Sequence, residues 1–235
     1  MPTIKVSDIN VYYELHGAGE SLVLITGLAN DVTQYIHITD RLSREFNVLA
    51  FDNRGAGRTD KPDTPYTIEQ MADDTAGLMD AVGTGPAHLI GVSMGGRTAM
   101  ALALQYPEKV KSLILVSTFA RQVHDPAKKG FSGLISRIPN PMEGIGEYPQ
   151  PRHDFERQLM ASRSYDCSDR LGEIHVPTLV LHGKDDTLVP LALAEELHAD
   201  IAGSKMTVFD GGHGFFMTMP EKFCDTVSAF LTGVK

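Results

Sequence analysis

Three short stretches of this 235-residue chain hold residue types that can carry acyl-transfer chemistry. Ser93 sits in Gly91-Val92-Ser93-Met94-Gly95-Gly96, between the apolar run His88 to Val92 and a helix-like stretch from Met94 to Gln105. This is G-x-S-x-G between strand and helix, where small neighbours permit a sharp turn that lifts the serine Oγ off the sheet edge. The turn also puts Ser93 at a helix N-terminus, where free N–H groups and the helix dipole favour a developing negative charge. A serine hydroxyl is a weak nucleophile and needs a base. His213 stands in Gly211-Gly212-His213-Gly214-Phe215-Phe216, and three glycines around one histidine describe a loop tip at the sheet edge. A third group must orient the imidazole and stabilise its protonated form. The segment His182-Gly183-Lys184-Asp185-Asp186-Thr187-Leu188-Val189-Pro190 offers two carboxylates after another strand.

The elements that must position these groups are legible as alternating patterns. Short apolar runs predict strands at Tyr12 to Leu15, Leu22 to Ile25, Val48 to Phe51, His88 to Val92, Leu113 to Val116, Leu179 to Leu181 and Met206 to Phe209. The later runs are continuously apolar, as strands covered on both faces must be. Helices are predicted at Thr67 to Val82, Met94 to Gln105, Leu191 to Ala199 and Glu221 to Leu231. Thr67 with Glu69-Gln70 marks a capped start, and Pro107 stops the preceding helix. The alternation implies an α/β fold with a mostly parallel sheet and helices on both faces. The first two strands, joined by a short turn, are expected to form an antiparallel edge.

The alternation breaks between about Arg121 and Glu173, where Pro126, Pro139, Pro141, Pro149 and Pro151 fall. Phe131, Leu134, Ile135 and Ile138 follow the spacing of one amphipathic helix, and Arg152 to Ser164 suggests another. This stretch carries eight charges of each sign, so the net charge of −9 lies entirely on the remainder. The expectation is a core of residues 1–120 and 174–235 interrupted by a small helical cap, 121–173. Such a cap covers the carboxyl edge of the sheet, where α/β folds bind ligands.

Composition narrows the function classes. A −9 balance disfavours a nucleic-acid binder, which needs a basic face. No apolar stretch approaches a membrane span, and no apolar leader follows Met1. Two cysteines, Cys167 and Cys224, are too few for a disulfide scaffold and suit a reducing compartment. The expected setting is cytoplasmic, with no membrane or nucleic-acid partner and a monomer or homodimer. The other histidines show neither H-E-x-x-H nor C-x-x-C spacing, and Gly55-Ala56-Gly57 lacks the third glycine of a dinucleotide fingerprint. No metal and no cofactor are expected.

Gly-Val-Ser-Met-Gly-Gly, Asp52-Asn53-Arg54-Gly55-Ala56-Gly57, the Gly183-to-Pro190 loop and Gly-Gly-His together resemble the α/β-hydrolase superfamily, in the chain order Ser…Asp…His. The likeness covers nearly everything outside the cap and implies an eight-stranded α/β-hydrolase fold. In that family the acid lies three residues after the loop glycine and four before its proline, which selects Asp186 over Asp185. The resemblance also implies an oxyanion hole of two N–H donors. One is the backbone N–H of Met94, after the nucleophile. The other comes from the loop after the strand Leu22 to Ile25, by position Leu28. Relatives read His-Gly there, whereas this chain has Thr26-Gly27, which changes what braces the loop. The turn from Asp52 to Thr59 resembles D-x-R-G-x-G-x-S with Thr in the last place and is read as structural support.

Arg97, one helical turn after Ser93, is a candidate for a substrate carboxylate or for an ion pair at the core edge. Phe119, Phe215 and Phe216 are candidates for pocket walls or for core packing. The expected function is a serine hydrolase cleaving esters or lactones of small to medium acyl groups. Asp52 to Lys61 and Leu89 to Tyr106 look like enol-lactonase and small esterase relatives. Ser93 excludes haloalkane dehalogenases and epoxide hydrolases, which carry Asp there, and the absence of Trp argues against proline iminopeptidases. The alternatives are a C–C bond hydrolase or a lyase resembling the menaquinone-pathway synthase, a cofactor-free perhydrolase, and a slow-turnover ligand-binding signalling protein.

Overall fold

The structure, a computed structural model, describes residues 2–121, 147–148 and 150–234. Eight strands form one sheet: β1 (Thr3–Val6), β2 (Ile9–His16), β3 (Glu20–Ile25), β4 (Phe46–Phe51), β5 (Ala87–Val92), β6 (Val110–Val116), β7 (Thr178–Gly183) and β8 (Lys205–Phe209), in the order β1-β2-β4-β3-β5-β6-β7-β8. From β4 to β8 every pairing is parallel, while β1 with β2 and β2 with β4 are antiparallel. The helices are α1 (Ile36–Leu42), α2 (Ile68–Val82), α3 (Met94–Gln105), α4 (Arg152–Ser164), α5 (Leu191–Asp200), α6 (Phe215–Thr218) and α7 (Pro220–Thr232).

Strand residues alternate between two cores, because successive side chains point to opposite faces. Val23, Ile25, Leu89, Leu113 and Val180 meet α2, α3 and α5 on one side, and Leu22, Leu24, Ile90, Ile114 and Leu181 meet α1 and α7 on the other. Both faces are covered, so the central strands carry unbroken apolar runs such as Leu22 to Ile25 and Leu113 to Val116. Helix α2 begins where expected, with the Thr67 side chain accepting the Gln70 N–H, and ends on Gly83 in the left-handed region.

The antiparallel edge differs from the expectation. The run Tyr12 to Leu15 does not neighbour Leu22 to Ile25; β4 lies between them, and the edge is β1 against β2. The reason lies in the turn at residues 17–19. It skirts the entry to β4 so closely that a Cβ on Gly17, at φ +82°, would stand 2.1 Å from the Ser43 carbonyl oxygen. A short link between two apolar runs looks like a hairpin, but this one passes over a strand end. Strand β1 and helix α1 are further elements the pattern did not reveal. The first is a four-residue edge and the second a seven-residue helix. Of the expected cap, Arg152 to Ser164 is helical over its full predicted span. The predicted Phe131 to Ile138 helix lies outside the described residues.

Candidate active site

Strand β5 delivers Ser93 to the carboxyl edge of the sheet, and α3 starts at the next residue. Ser93 has φ +54° and ψ −115°, a backbone state that a non-glycine residue holds only when its surroundings enforce it. The enforcement is steric and polar. A Cβ on Gly95 would fall 2.2 Å from the Ile25 carbonyl oxygen, and one on Gly91 2.5 Å from that of Gly95. The Ser93 N–H donates to the Val116 carbonyl at 2.8 Å, and Thr118 Oγ1 donates to the Ser93 carbonyl at 2.7 Å.

His213 follows β8 in the glycine loop, with its Nε2 3.0 Å from Ser93 Oγ and its Nδ1 2.8 Å from Asp186 Oδ2. The loops bearing the histidine and the acid are joined directly, the Asp185 N–H donating to the Gly211 carbonyl at 2.9 Å. Gly183 permits this approach, since a Cβ there would meet the Gly212 carbonyl oxygen at 2.4 Å. Asp186 is the carboxylate the structure brings to the histidine, while Asp185 is exposed. Asp186 Oδ1 accepts the N–H groups of Leu188 and Val189, each at 2.9 Å. Burial pushes this carboxyl up, but the hydrogen bond and charge of His213 and the Val189 N–H outweigh it. The net pKa lies below the usual aspartate value. The ionised Asp186 accepts Nδ1–H of His213, which leaves the Nε2 lone pair facing the serine hydroxyl. The arrangement can therefore move a proton from Oγ to the imidazole.

His182 is a partner that spacing alone did not single out. It is fully buried four residues before Asp186, donates Nε2–H to the Val189 carbonyl at 2.9 Å, and lies 3.4 Å from Asp186 Oδ2. Burial holds its pKa below the ordinary histidine value, so the neutral ring pins the loop that carries the acid.

Leu28 and Met94 lie beside Ser93. A Cβ on Gly27 would be 3.6 Å from the Ser93 Cβ, which places the Gly27-Leu28 stretch against the serine. Of three consecutive amides, Gly27 N–H donates to Tyr35 Oη at 3.3 Å and Ala29 N–H to Gln158 Oε1 at 3.1 Å, while Leu28 N–H meets no acceptor among the described residues. Met94, the first residue of α3, likewise has an N–H without an acceptor there, as expected of a helix start. The Thr26 carbonyl and hydroxyl both accept from Asn53 Nδ2 at 3.0 Å. Tyr35, Asn53 and Gln158 thus brace the loop.

The remaining candidates fall elsewhere. Arg97 is fully buried, and among the described residues no carboxylate lies within ion-pair range. Its guanidinium donates to the carbonyls of Phe119, at 2.9 Å, and Tyr165, and sits over the rings of both. Burial lowers its pKa to about 10, which leaves it cationic at neutral pH. It joins the segment after β6 to the end of α4 instead of facing an acid. Phe119 is half-buried as the floor of that cation–π contact. Phe215 is 1% exposed, its ring 4.6 Å from Phe209 and 6.2 Å from Phe223, and Phe216 stacks on Tyr35. Both belong to the core and offer little surface to a ligand.

The turn from Asp52 supports the site's floor. Buried Asp52 accepts the Val32 N–H at 2.8 Å and both the N–H and Nε of Arg58, at 2.8 and 3.0 Å. Arg54 is paired on both sides with Asp74 and Asp8. Among the described residues no group of three or more His, Cys, Asp or Glu is placed to hold a metal ion. No helix there is long and apolar enough to cross a membrane.

A mostly parallel eight-stranded sheet with a left-handed serine at a strand-to-helix turn is the architecture of the α/β hydrolases. The chain belongs to the alpha/beta hydrolase fold family, whose profile matches residues 20–159. It is 30% identical to a protein of Azorhizobium caulinodans named as a carbamate hydrolase, RutD, over 98% of both chains. Among solved structures, the enol-lactonase of Burkholderia xenovorans LB400 is 28% identical with TM-score 0.86, covering 98% of this chain and 100% of that one. A thermophilic esterase from Thermogutta terrifontis is 28% identical with TM-score 0.87, covering 100% and 99%. Family and relatives agree on a hydrolase.

Proposed function

We propose that this hydrolase is a serine enzyme acting on carboxylic esters or lactones of small to medium acyl groups. The observation that carries the reading is the chain Ser93 Oγ, His213, Asp186, with contacts of 3.0 and 2.8 Å, beside the uncommitted amides of Leu28 and Met94. His213 Nε2 takes the hydroxyl proton as Oγ attacks the carbonyl carbon. The negative charge that develops on the carbonyl oxygen falls to the two N–H groups, each worth roughly 3 kcal/mol in such a role. The tetrahedral species collapses, His213 returns the proton to the departing alkoxide, and an acyl-Ser93 remains. Water then attacks the acyl group with His213 again as base, and the acid product leaves with Ser93 regenerated. Asp186 holds the imidazole in the reactive tautomer and stabilises it when protonated.

The esterase and enol-lactonase among the structural neighbours support esters and lactones. The relative named for carbamate hydrolysis supports a second reading, in which the same attack falls on a carbamate carbonyl. Arg97 speaks against the anion-directed lyase, since its guanidinium is buried on carbonyls. Hydrolysis of p-nitrophenyl acetate, butyrate and octanoate by wild type and Ser93→Ala tests the proposal. Multiple turnover that disappears in the variant is expected. Activity that survives in Ser93→Ala contradicts it. A matched methyl carbamate turned over faster than the acetate would favour the second reading.

A further inference from the structure

We infer that Gln158, a residue of the cap helix, is a positioning residue for the oxyanion side of the site. The inference rests on the proposed function and deepens it. Gln158 has no solvent exposure, an unusual place for a side chain amide unless its hydrogen bonds are met. Both ends are engaged. Its Oε1 accepts the Ala29 N–H at 3.1 Å, and its Nε2 donates to the Arg54 carbonyl at 2.7 Å. One side chain from α4 therefore ties the loop after β3 to the turn after β4.

The tie falls where it matters for Leu28. Ala29 has φ +60°, a left-handed state disfavoured for a residue with a Cβ. Gln158 holds the peptide that joins Leu28 to Ala29 in that state. On the other side, Tyr35 Oη accepts the Gly27 N–H and donates to Asn30 Oδ1 at 2.9 Å. The Leu28 amide lies between two clamped amides and is the one of the three without an acceptor among the described residues, hence open to a ligand oxygen. Neighbouring Phe155 and Leu159 of α4 pack on Leu28 and Ala29. The same helix thus sets both the apolar wall and the aim of the donor. A preorganised donor keeps its catalytic worth only if its direction is fixed before charge develops.

A second glutamine gives the comparison. Gln150 Nε2 donates to the Gly55 carbonyl at 2.6 Å, and among the described residues Gln150 makes no hydrogen bond to the loop after β3. The experiment measures p-nitrophenyl butyrate kinetics and the inhibition constant of butylboronic acid, whose Ser93 adduct presents a tetrahedral oxygen to the two amides. Gln158→Leu is expected to lower kcat about tenfold to a hundredfold, with KM within threefold. Its boronate affinity falls by the same factor as kcat. Gln150→Leu should keep boronate affinity within twofold of wild type, whatever its Tm. Unchanged boronate affinity in Gln158→Leu, or equal losses in the two variants, would overturn the inference. If Gln158→Leu yields no folded protein, Gln158→Glu carries the test. It keeps an acceptor for Ala29 and loses the donor to Arg54, so boronate affinity within threefold of wild type is expected, and a loss above tenfold overturns it. A wild type that neither turns over the ester nor binds the boronate defeats the proposed function itself, and this inference falls with it.

Discussion

The Ser93 side and the Leu28 side of the site are held in different ways. Around Ser93, His213 and Asp186 most of the supports are backbone: glycines that admit carbonyl oxygens at van der Waals limits, amides of the acid's own loop, and a direct link between the Asp and His loops, to which Ser117, Thr118 and His182 add side-chain bonds on backbone carbonyls. Around Leu28 they are side chains from elsewhere in the chain. Asn53 holds Thr26, Tyr35 holds Gly27, and Gln158, 129 residues away, holds Ala29. A site built on backbone has no room for an added atom, because interiors are close-packed. A site built on side chains tracks the elements that bear them, here helix α4 among them. One half is fixed by the sheet edge, and the other is coupled to α4 and the turn after β4.

The largest effects should come from the backbone-held half. Ser93→Ala is expected to remove ester turnover by about 10⁴-fold or more, measured as kcat/KM on p-nitrophenyl butyrate. Asp186→Asn keeps the shape and loses the tautomer control, so kcat should drop about 10³- to 10⁴-fold with KM little changed. The same variant tests the acid's pKa. A carboxyl depressed in the folded state stabilises the fold above its unfolded value and loses that contribution as pH falls through the folded value. Wild type should therefore exceed Asp186→Asn in stability at neutral pH by more than it does below about pH 4. A gap that widens on acidification would break the account of His213 holding an ionised Asp186.

Gly95→Ala probes the lack of room directly. Its Cβ must displace the Ile25 and Thr26 carbonyls, at a cost of about 2–3 kcal/mol. Tm should fall by roughly 5–10 °C, with activity lost alongside. A tolerated methyl group there would show that the turn is looser than the contacts imply. The smallest effect is expected from Arg97. With its guanidinium spent on the Phe119 and Tyr165 carbonyls, Arg97→Met should change kcat/KM for neutral and anionic esters by ratios within about twofold of each other. A selective rise in KM for anionic esters would return Arg97 to the role of a substrate-carboxylate partner.

The same division explains what the sequence made legible. Ser93 and His213 are bracketed by glycines and strand ends close to them in the chain, so local pattern pointed to them, while the choice of Asp186 over Asp185 came from the family resemblance. The central strands and α3 were equally plain, since burial on both faces leaves an unbroken apolar run. The order of the first strands was not, because a glycine turn that crosses a strand end reads like a hairpin. The brace of the Leu28 loop was hidden for a related reason. Nothing in the sequence near Thr26 announces Asn53 or Gln158, which reach it only through the fold. Arg97 and Phe215 show the limit of reading residue type. A cation near a nucleophile suggested a substrate anion or an ion pair, and a phenylalanine near the histidine suggested a wall or core packing. The structure puts Arg97 on carbonyls, which neither reading held, and Phe215 in the core, which one of them did.

The central claim is that Ser93 carries the acyl group in turnover. The most direct test is to quench the reaction with p-nitrophenyl acetate in its first milliseconds and map the protein by peptide mass spectrometry. The account predicts one acetyl group on the peptide containing Ser93, formed at the rate of the nitrophenol burst and absent in Ser93→Ala. Nitrophenol release at full rate with Ser93 unmodified, or the acetyl group on another residue, would contradict it.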